Sequence, residues 1–308
     1  MNYYLVHFRQ NVAQLKKHAV YWMDETNLSK VPVNSVNIIN TKDLPKYDNQ
    51  EYLLLVRSGG IGDIVAMSSI CGIAPKTIFL TQKKYLPILD LFINKPIGKH
   101  FDDPIFTANS YSEFVLKLNK IGIMQGEDEI ELGSKNDWYE IFSRSIGREL
   151  IEGRPQLIRP FNEVIDRCLI VSESSTINRT GDGEALKQIA VKYFKDVDIA
   201  HKMNWTTKEY IAALSTYKFV ISVDTSAIHI REGFGLSALA LYGAFTAQCR
   251  TKNYTHTHSI DVTMCSLGPC FVHGVNPCRL NVNKTSAYCL TNYEQIEQEL
   301  ISYLKICQ

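Results

Sequence analysis

Tyr52–Val56 is an unbroken apolar run that stops at Arg57-Ser58-Gly59-Gly60-Ile61-Gly62-Asp63, after which Ile64–Ile73 takes up helical spacing. Five successive apolar residues leave no solvent face, so the run predicts a parallel strand covered on both sides. Thr77–Leu80 repeats the pattern and is followed by helical spacing near Tyr85–Phe92. It restarts at Cys168–Val171, with a polar loop over Ser172–Gly183 and a helix over Glu184–Phe194. Phe219–Val223 and Ala238–Tyr242 are two further buried runs, separated by the turn Asp224-Thr225-Ser226 and a short helix over Ile228–Phe234. Thr206-Thr207-Lys208-Glu209 reads as a capping box opening a helix through Tyr217, and Thr291 to Glu294 as a second, opening a helix to Ile306. Strands alternating with helices in this way predict an α/β fold built from doubly wound sheets.

A chain of 308 residues, 45% of them hydrophobic, can fill two such cores. The stretch 93–147 is looser, and Arg154-Pro155 through Arg159-Pro160 has linker character. This divides the chain into an N-terminal domain over 1–155, a C-terminal domain over 156–290 and a helix over 291–308. Residues 1–50 stand apart as an extra N-terminal segment. Tyr3–Phe8 fits a strand, and Val12–Trp22 has helical spacing with Leu15, Ala19 and Trp22 on one face. A polar stretch with Pro32 and Pro45 follows. The segment reads as an added subdomain or as a strap over the first domain.

The formal net charge is +1, so no global field selects nucleic acid or an anionic membrane. The N-terminus lacks the charged head and longer apolar core of a secretory signal, and no run reaches the roughly 20 apolar residues of a spanning helix. A cytoplasmic protein with no transmembrane segment is expected, with peripheral membrane association open. In that compartment the eight cysteines are thiols or metal ligands rather than disulfides.

Two strand-to-helix junctions carry the chemistry. Gly59, Gly60 and Gly62 let an anion approach the backbone, and the helix behind them offers free N–H groups and the positive end of its dipole. The spacing is neither the dinucleotide fingerprint nor a nucleotide-triphosphate loop. Asp63 is either a carboxylate stabilised at a helix N-terminus or a general base at the carboxyl edge of a sheet. At the second junction, Asp224, Thr225 or Ser226 caps the next helix, and His229 is a satisfied structural histidine. Alternatively the turn's N–H groups, Thr225 and His229 hold a pyrophosphate. With one junction in each domain, both would face a shared cleft.

Leu54–Asp63 resembles the opening of the ADP-heptose:lipopolysaccharide heptosyltransferase family, and Phe219–Gly243, with Val-Asp-Thr-Ser-Ala-Ile-His and Leu-Tyr-Gly, resembles its donor-site motif. The resemblance covers residues 52–80 and 168–245. It implies the GT-B architecture, two Rossmann-like domains facing across a cleft, with the C-terminal helix crossing back to the N-terminal domain. It also implies an inverting glycosyltransferase using a nucleotide-sugar donor, with the acceptor on the N-terminal side and the donor on the C-terminal side. Asp63 then matches the catalytic base. Ser174, Ser175 and Arg179 match the groups on the donor phosphates, Arg179 standing where the family has Lys. Asp224, Thr225, Ser226 and His229 match the turn that wraps the donor. No cofactor or metal is required for that chemistry.

The departures bear on substrate. A strand and a Glu-bearing loop that the family places between the helix at Glu184–Phe194 and the segment Val197–Met203 are missing or reduced, which opens the identity of the nucleoside and the sugar. Ser226 stands where the family usually has Gly. The acceptor implied is a lipopolysaccharide core glycan, with a protein or a hydroxylated DNA base as alternatives. A non-catalytic nucleotide-sugar-binding module is the other class of reading. Finally, Cys265, Cys270, Cys278 and Cys289 fall within about 25 residues among turn-forming Gly and Pro. They fit a structural Zn or Fe site, with His256, His258 or His273 as substitutes, and equally fit free thiols.

Overall fold

The computed structural model describes residues 2–44, 47, 50–125, 137–146, 153–262, 264–270, 280 and 287–306. Its elements, in chain order, are β1 (Tyr3–Phe8), β2 (Ala19–Asp24), α1 (Glu25–Leu28), β3 (Val36–Asn40), β4 (Tyr52–Val56), α2 (Ile61–Ala66), β5 (Lys76–Thr81), α3 (Leu86–Leu89), β6 (Ile97–His100), β7 (Phe106–Thr107), α4 (Tyr111–Leu118), β8 (Ile121–Gln125) and α5 (Trp138–Ile146). They continue with β9 (Ile165–Val171), α6 (Gly183–Ala190), β10 (Val197–Ile199), α7 (Thr207–Thr216), β11 (Tyr217–Val223), α8 (Ser226–Gly233), β12 (Ala238–Tyr242), α9 (Gln248–Thr251), β13 (Thr257–Asp261) and α10 (Tyr293–Ile306). The chain divides into two compact units. The first comprises Met1–Gly59, Ile70–Asp128 and Phe142–Leu150; the second comprises Gly60–Ser69, Glu129–Ile141 and Ile151–Gln308.

The first unit holds two sheets. One is parallel, in the order β6-β5-β4-β8, with Leu54 opposite Ile78 on one side and Ile123 on the other. The other is antiparallel, in the order β3-β1-β2-β7, and is built mainly by the N-terminal segment. Leu5, Val20 and Trp22 pack against Leu54, Val56, Ile78 and Leu80 of the parallel sheet. Val6, Phe8, Ala19, Tyr21 and Met23 face the other way, into a second core with Val31 and Val36. The N-terminal segment is therefore a covering sheet. The helix expected over Val12–Trp22 is corrected to a tight turn at Val12–Leu15 followed by β2. Ala19–Met23 is continuously apolar because both of its faces are covered, the pattern of a buried strand.

The second unit is one parallel sheet in the order β10-β9-β11-β12-β13, with α6, α7 and α8 set between its strands in sequence. The chain winds outward from β9 to β10 on one side and to β11 on the other. The switch point therefore lies between β9 and β11, where open α/β sheets place their ligands. The capping box of α7 forms as expected: Glu209 N–H donates to Thr206 Oγ1, and Thr206 N–H donates to the Glu209 carboxylate. The box expected at Thr291 does not form. Thr291 closes a 3₁₀ turn by donating to Tyr288 O, and Asn292 caps α10 by accepting from Gln295 N–H. Ile296 and Leu300 bury this helix in the core of the second unit itself, beside Phe219, Leu239 and Leu241. The 154–160 stretch likewise packs within the second unit, with Leu157 buried so close to Gly233 that a Cβ there would meet it at 2.7 Å. Among the described residues no helix is long and apolar enough to cross a membrane.

Candidate functional site

Of the first junction, β4 and Gly59 belong to the first unit while α2, in Gly60–Ser69, belongs to the second, as does the whole of the second junction. Helix α2 opens at Gly60, whose N–H donates to Asp63 Oδ2 at 3.1 Å. The carboxylate is thus oriented by its own helix and half-buried. Gly62 is where α2 meets α8. A Cβ built on it would stand 3.0 Å from His229 Cδ2 and 3.4 Å from Ser226 Cα. A Cβ there would be tighter than ordinary packing, so Gly62 and His229 are direct neighbours.

Helix α8 is capped by Thr225, whose Oγ1 accepts from Ala227 N–H at 3.3 Å and shares a 3.0 Å hydrogen bond with Ser222. The half-buried Tyr210 of α7 sets its hydroxyl against Ser226 and Thr225, and desolvation pushes it up to about 12. Asp224 is buried, and its carboxylate lies 3.3 Å from Arg179 Nη1. Arg179 also donates from Nε to Thr176 Oγ1 at 3.1 Å and from Nη2 to Ser175 Oγ at 3.2 Å. The loop after β9 and the turn after β11 are thereby joined at the switch point through one guanidinium. Ser175 is exposed there, while Ser174, Thr225 and Ser226 are half-buried. Ser174 N–H donates to Thr180 Oγ1 at 3.2 Å.

His229 is 2% exposed. Its Nδ1 shares a 2.6 Å hydrogen bond with Tyr254 Oη, which lies 2.7 Å from Tyr139 Oη. Trp138 stacks on the imidazole at 5.2 Å between centroids, and the Arg250 guanidinium covers the other part of this wall at 4.4 Å from the Trp138 ring. Burial holds the imidazole down to about 4, against the opposing pull of the Asp224 and Asp63 charges. A neutral ring with a fixed orientation results. Trp138, Tyr139, Arg250 and Tyr254 were outside the sequence expectation, since no local spacing connects them to His229. Asp137 caps α5 by accepting from Tyr139 N–H at 2.6 Å, and burial raises its carboxyl.

Cys289 is buried in the sheet core, Cys265 packs against the same core and Cys270 is exposed. Cys278 and His273 lie outside the described residues. Among the described residues no three His, Cys, Asp or Glu stand together as a metal site. His258 instead pairs with Glu299 at 3.0 Å, and His256 O accepts from the Tyr303 hydroxyl.

The arrangement around α8 offers a helix N-terminus, hydroxyls and a cation to an anionic group, beside a carboxylate able to take a proton. No protein-family model and no curated protein matches the sequence. Solved structures do match. The bacterial iron-containing dodecameric glycosyltransferase TibC from enterotoxigenic E. coli superposes with a TM-score of 0.57 at 11% identity, over 100% of this chain and 92% of that one. Its complex with ADP-D-beta-D-heptose gives 0.58 at the same identity, over 99% and 92%. The glycosyl transferase family 9 protein from Veillonella parvula gives 0.54 at 10%, over 85% of this chain and 99% of its own. The E. coli ADP-heptose lps heptosyltransferase II gives 0.51 at 13%, over 82% and 98%. At these identities the likeness is one of fold: the chain carries the Rossmann-like α/β, GT-B-class fold of the heptosyltransferases.

Proposed function

We propose that the chain is a glycosyltransferase that moves a sugar from a nucleotide-diphosphate donor to an acceptor hydroxyl, with inversion at the anomeric carbon. The observation that carries this reading is the Arg179 guanidinium bridging Ser175, Thr176 and Asp224 at the switch point, beside the N-terminus of α8. A diphosphate there meets free helix N–H groups, a positive dipole end and a planar cation that binds phosphate oxygens bidentately. The heptosyltransferases solved with ADP and with ADP-D-beta-D-heptose share this fold and support the donor class.

In this mechanism Asp63 takes the proton of the acceptor hydroxyl as that oxygen attacks the anomeric carbon. The bond from that carbon to the diphosphate oxygen breaks, and the electron pair leaves with the diphosphate. Arg179, the Thr225 hydroxyl and the α8 N–H groups stabilise the charge that develops there. Gly60 N–H keeps the Asp63 carboxylate aimed, and neutral His229 forms a packed wall between α2 and α8 rather than a second charge. The C-terminal unit is the donor side and the N-terminal unit the acceptor side, with a glycan as the acceptor class.

A thermal-shift panel of nucleoside diphosphates and nucleotide sugars tests the donor assignment. A shift selective for one diphosphate is expected, lost in Arg179→Met. Equal or absent shifts across the panel would remove the donor assignment.

A further inference from the structure

Three titratable groups with no part in the transfer step stand in a row beside the Asp63 turn: His229, Tyr254 and Tyr139. All three belong to the second unit, as do Gly62 and Asp63. Tyr254 Oη lies 2.6 Å from His229 Nδ1 and 2.7 Å from Tyr139 Oη. The opposite edge of the imidazole faces α2, since a Cβ on Gly62 would stand 3.0 Å from Cδ2 and 3.6 Å from Nε2.

Packing fixes the plane of this ring but not its direction. Trp138 stacks on it at 5.2 Å, and the Arg250 guanidinium lies 4.4 Å from the Trp138 ring. Turning the imidazole by half a turn about Cβ–Cγ keeps that stack and exchanges Nδ1 with Cδ2, atoms of nearly equal size. A hydrogen bond is what tells the two orientations apart, and Tyr254 makes the one to Nδ1.

The surrounding charge then distinguishes the two tautomers. A neutral imidazole carries one N–H and one lone pair. The charges of Asp224 and Asp63 act on the ring, and Asp63 follows Gly62 on the side of Nε2. A lone pair on Nε2 would face that negative potential, whereas an N–H is attracted by it. With the proton on Nε2, Nδ1 accepts from the Tyr254 hydroxyl and Tyr254 accepts from Tyr139, each bond polarising the next.

We propose that Tyr254 is a positioning residue for Asp63: its hydroxyl, backed by that of Tyr139, holds a neutral Nε2–H of His229 against the turn that carries the carboxylate. The proposal rests on the glycosyl-transfer reading above. The turn is thereby held in one arrangement, with a fixed neutral dipole beside Asp63 in place of a second charge. Acting through His229, Tyr254 sets the rate of transfer and not the affinity for the donor diphosphate.

Ring-nitrogen NMR of the full chain labelled in histidine tests it, with the His229 signals identified by their loss in His229→Gln. The wild type should show Nε2 protonated and Nδ1 as a hydrogen-bond acceptor. In Tyr254→Phe, which removes only a hydroxyl, the two ring-nitrogen signals should move toward each other as the tautomers mix. Tyr139→Phe should move them the same way by less, and it carries the test if Tyr254→Phe does not fold. With the nucleotide sugar selected by a panel of ADP, GDP, UDP and CDP, diphosphate release by Tyr254→Phe should fall about tenfold, with diphosphate affinity kept within about twofold. A wild-type Nδ1–H tautomer, ring signals unmoved in both Phe variants, or affinity falling in step with the rate would each overturn it. The expected tautomer, lost in Tyr254→Phe, in a chain that binds none of the diphosphates would defeat the transfer reading and leave the tautomer assignment standing.

Discussion

Tyr254 Oη stands 2.6 Å from His229 Nδ1 and 2.7 Å from Tyr139 Oη, so one hydroxyl ties the first turn of α8 to the first turn of α5. The imidazole it holds is neutral because burial disfavours its charged form, which brings its pKa to about 4. An unfolded histidine titrates near 6.5. Between those values the unfolded chain binds a proton that the folded chain refuses. Stability contributed by His229 is therefore full above about pH 6.5 and declines as pH falls toward 4, by up to about 3 kcal/mol. Urea denaturation of wild type and His229→Gln across this window checks it. The wild type should show the steeper loss, and equal slopes would contradict the assignment.

A Cβ on Gly62 would stand only 3.0 Å from His229 Cδ2, and Trp138 and Tyr254 hold the imidazole against giving way. In a helix, Gly→Ala ordinarily gains about 0.5–1 kcal/mol. Here the overpacking cost of about 1–3 kcal/mol outweighs that gain. Gly62→Ala should lower the melting temperature and weaken diphosphate binding together. A stabilised Gly62→Ala variant would mean that α2 and α8 are not packed as described.

Arg179→Met leaves the Asp224 carboxylate, 6% exposed, without its cation. The expected cost is about 3 kcal/mol in stability. Adding Asp224→Asn removes the uncompensated charge and should return most of that loss. Diphosphate affinity should stay down by about tenfold or more in both variants, because the cation is missing from each. Calorimetry on the single and double variants separates the structural from the binding role of Arg179.

Most of this fold was readable because its parallel strands are short, unbroken apolar runs. Tyr52–Val56 and Ala238–Tyr242 announce themselves by having no polar alternation, and Phe219–Val223 by a single interruption at Ser222. Ala19–Met23 carries the same signature, but Leu15, Ala19 and Trp22 also match helical spacing. Five residues cannot settle that competition without knowing that both faces are covered. At the site, the glycine loop, Arg179 and the Asp224–His229 turn were legible because each sits at a strand-to-helix junction. Trp138, Tyr139, Arg250 and Tyr254 were not. They reach His229 from distant positions, through packing that no local pattern encodes. The Thr291 box failed for a local reason: the chain makes a 3₁₀ turn first, and Asn292, one residue later, takes the cap.

Turnover by Asp63→Asn tests the central claim most directly. The substitution keeps the shape at α2 and removes the basic carboxylate. With the nucleotide sugar identified by the thermal-shift panel and its acceptor, the rate of nucleoside-diphosphate release should fall by about a hundredfold or more, with diphosphate affinity unchanged. A loss under about tenfold, with affinity intact, would contradict Asp63 as the base and with it the proposed mechanism of transfer.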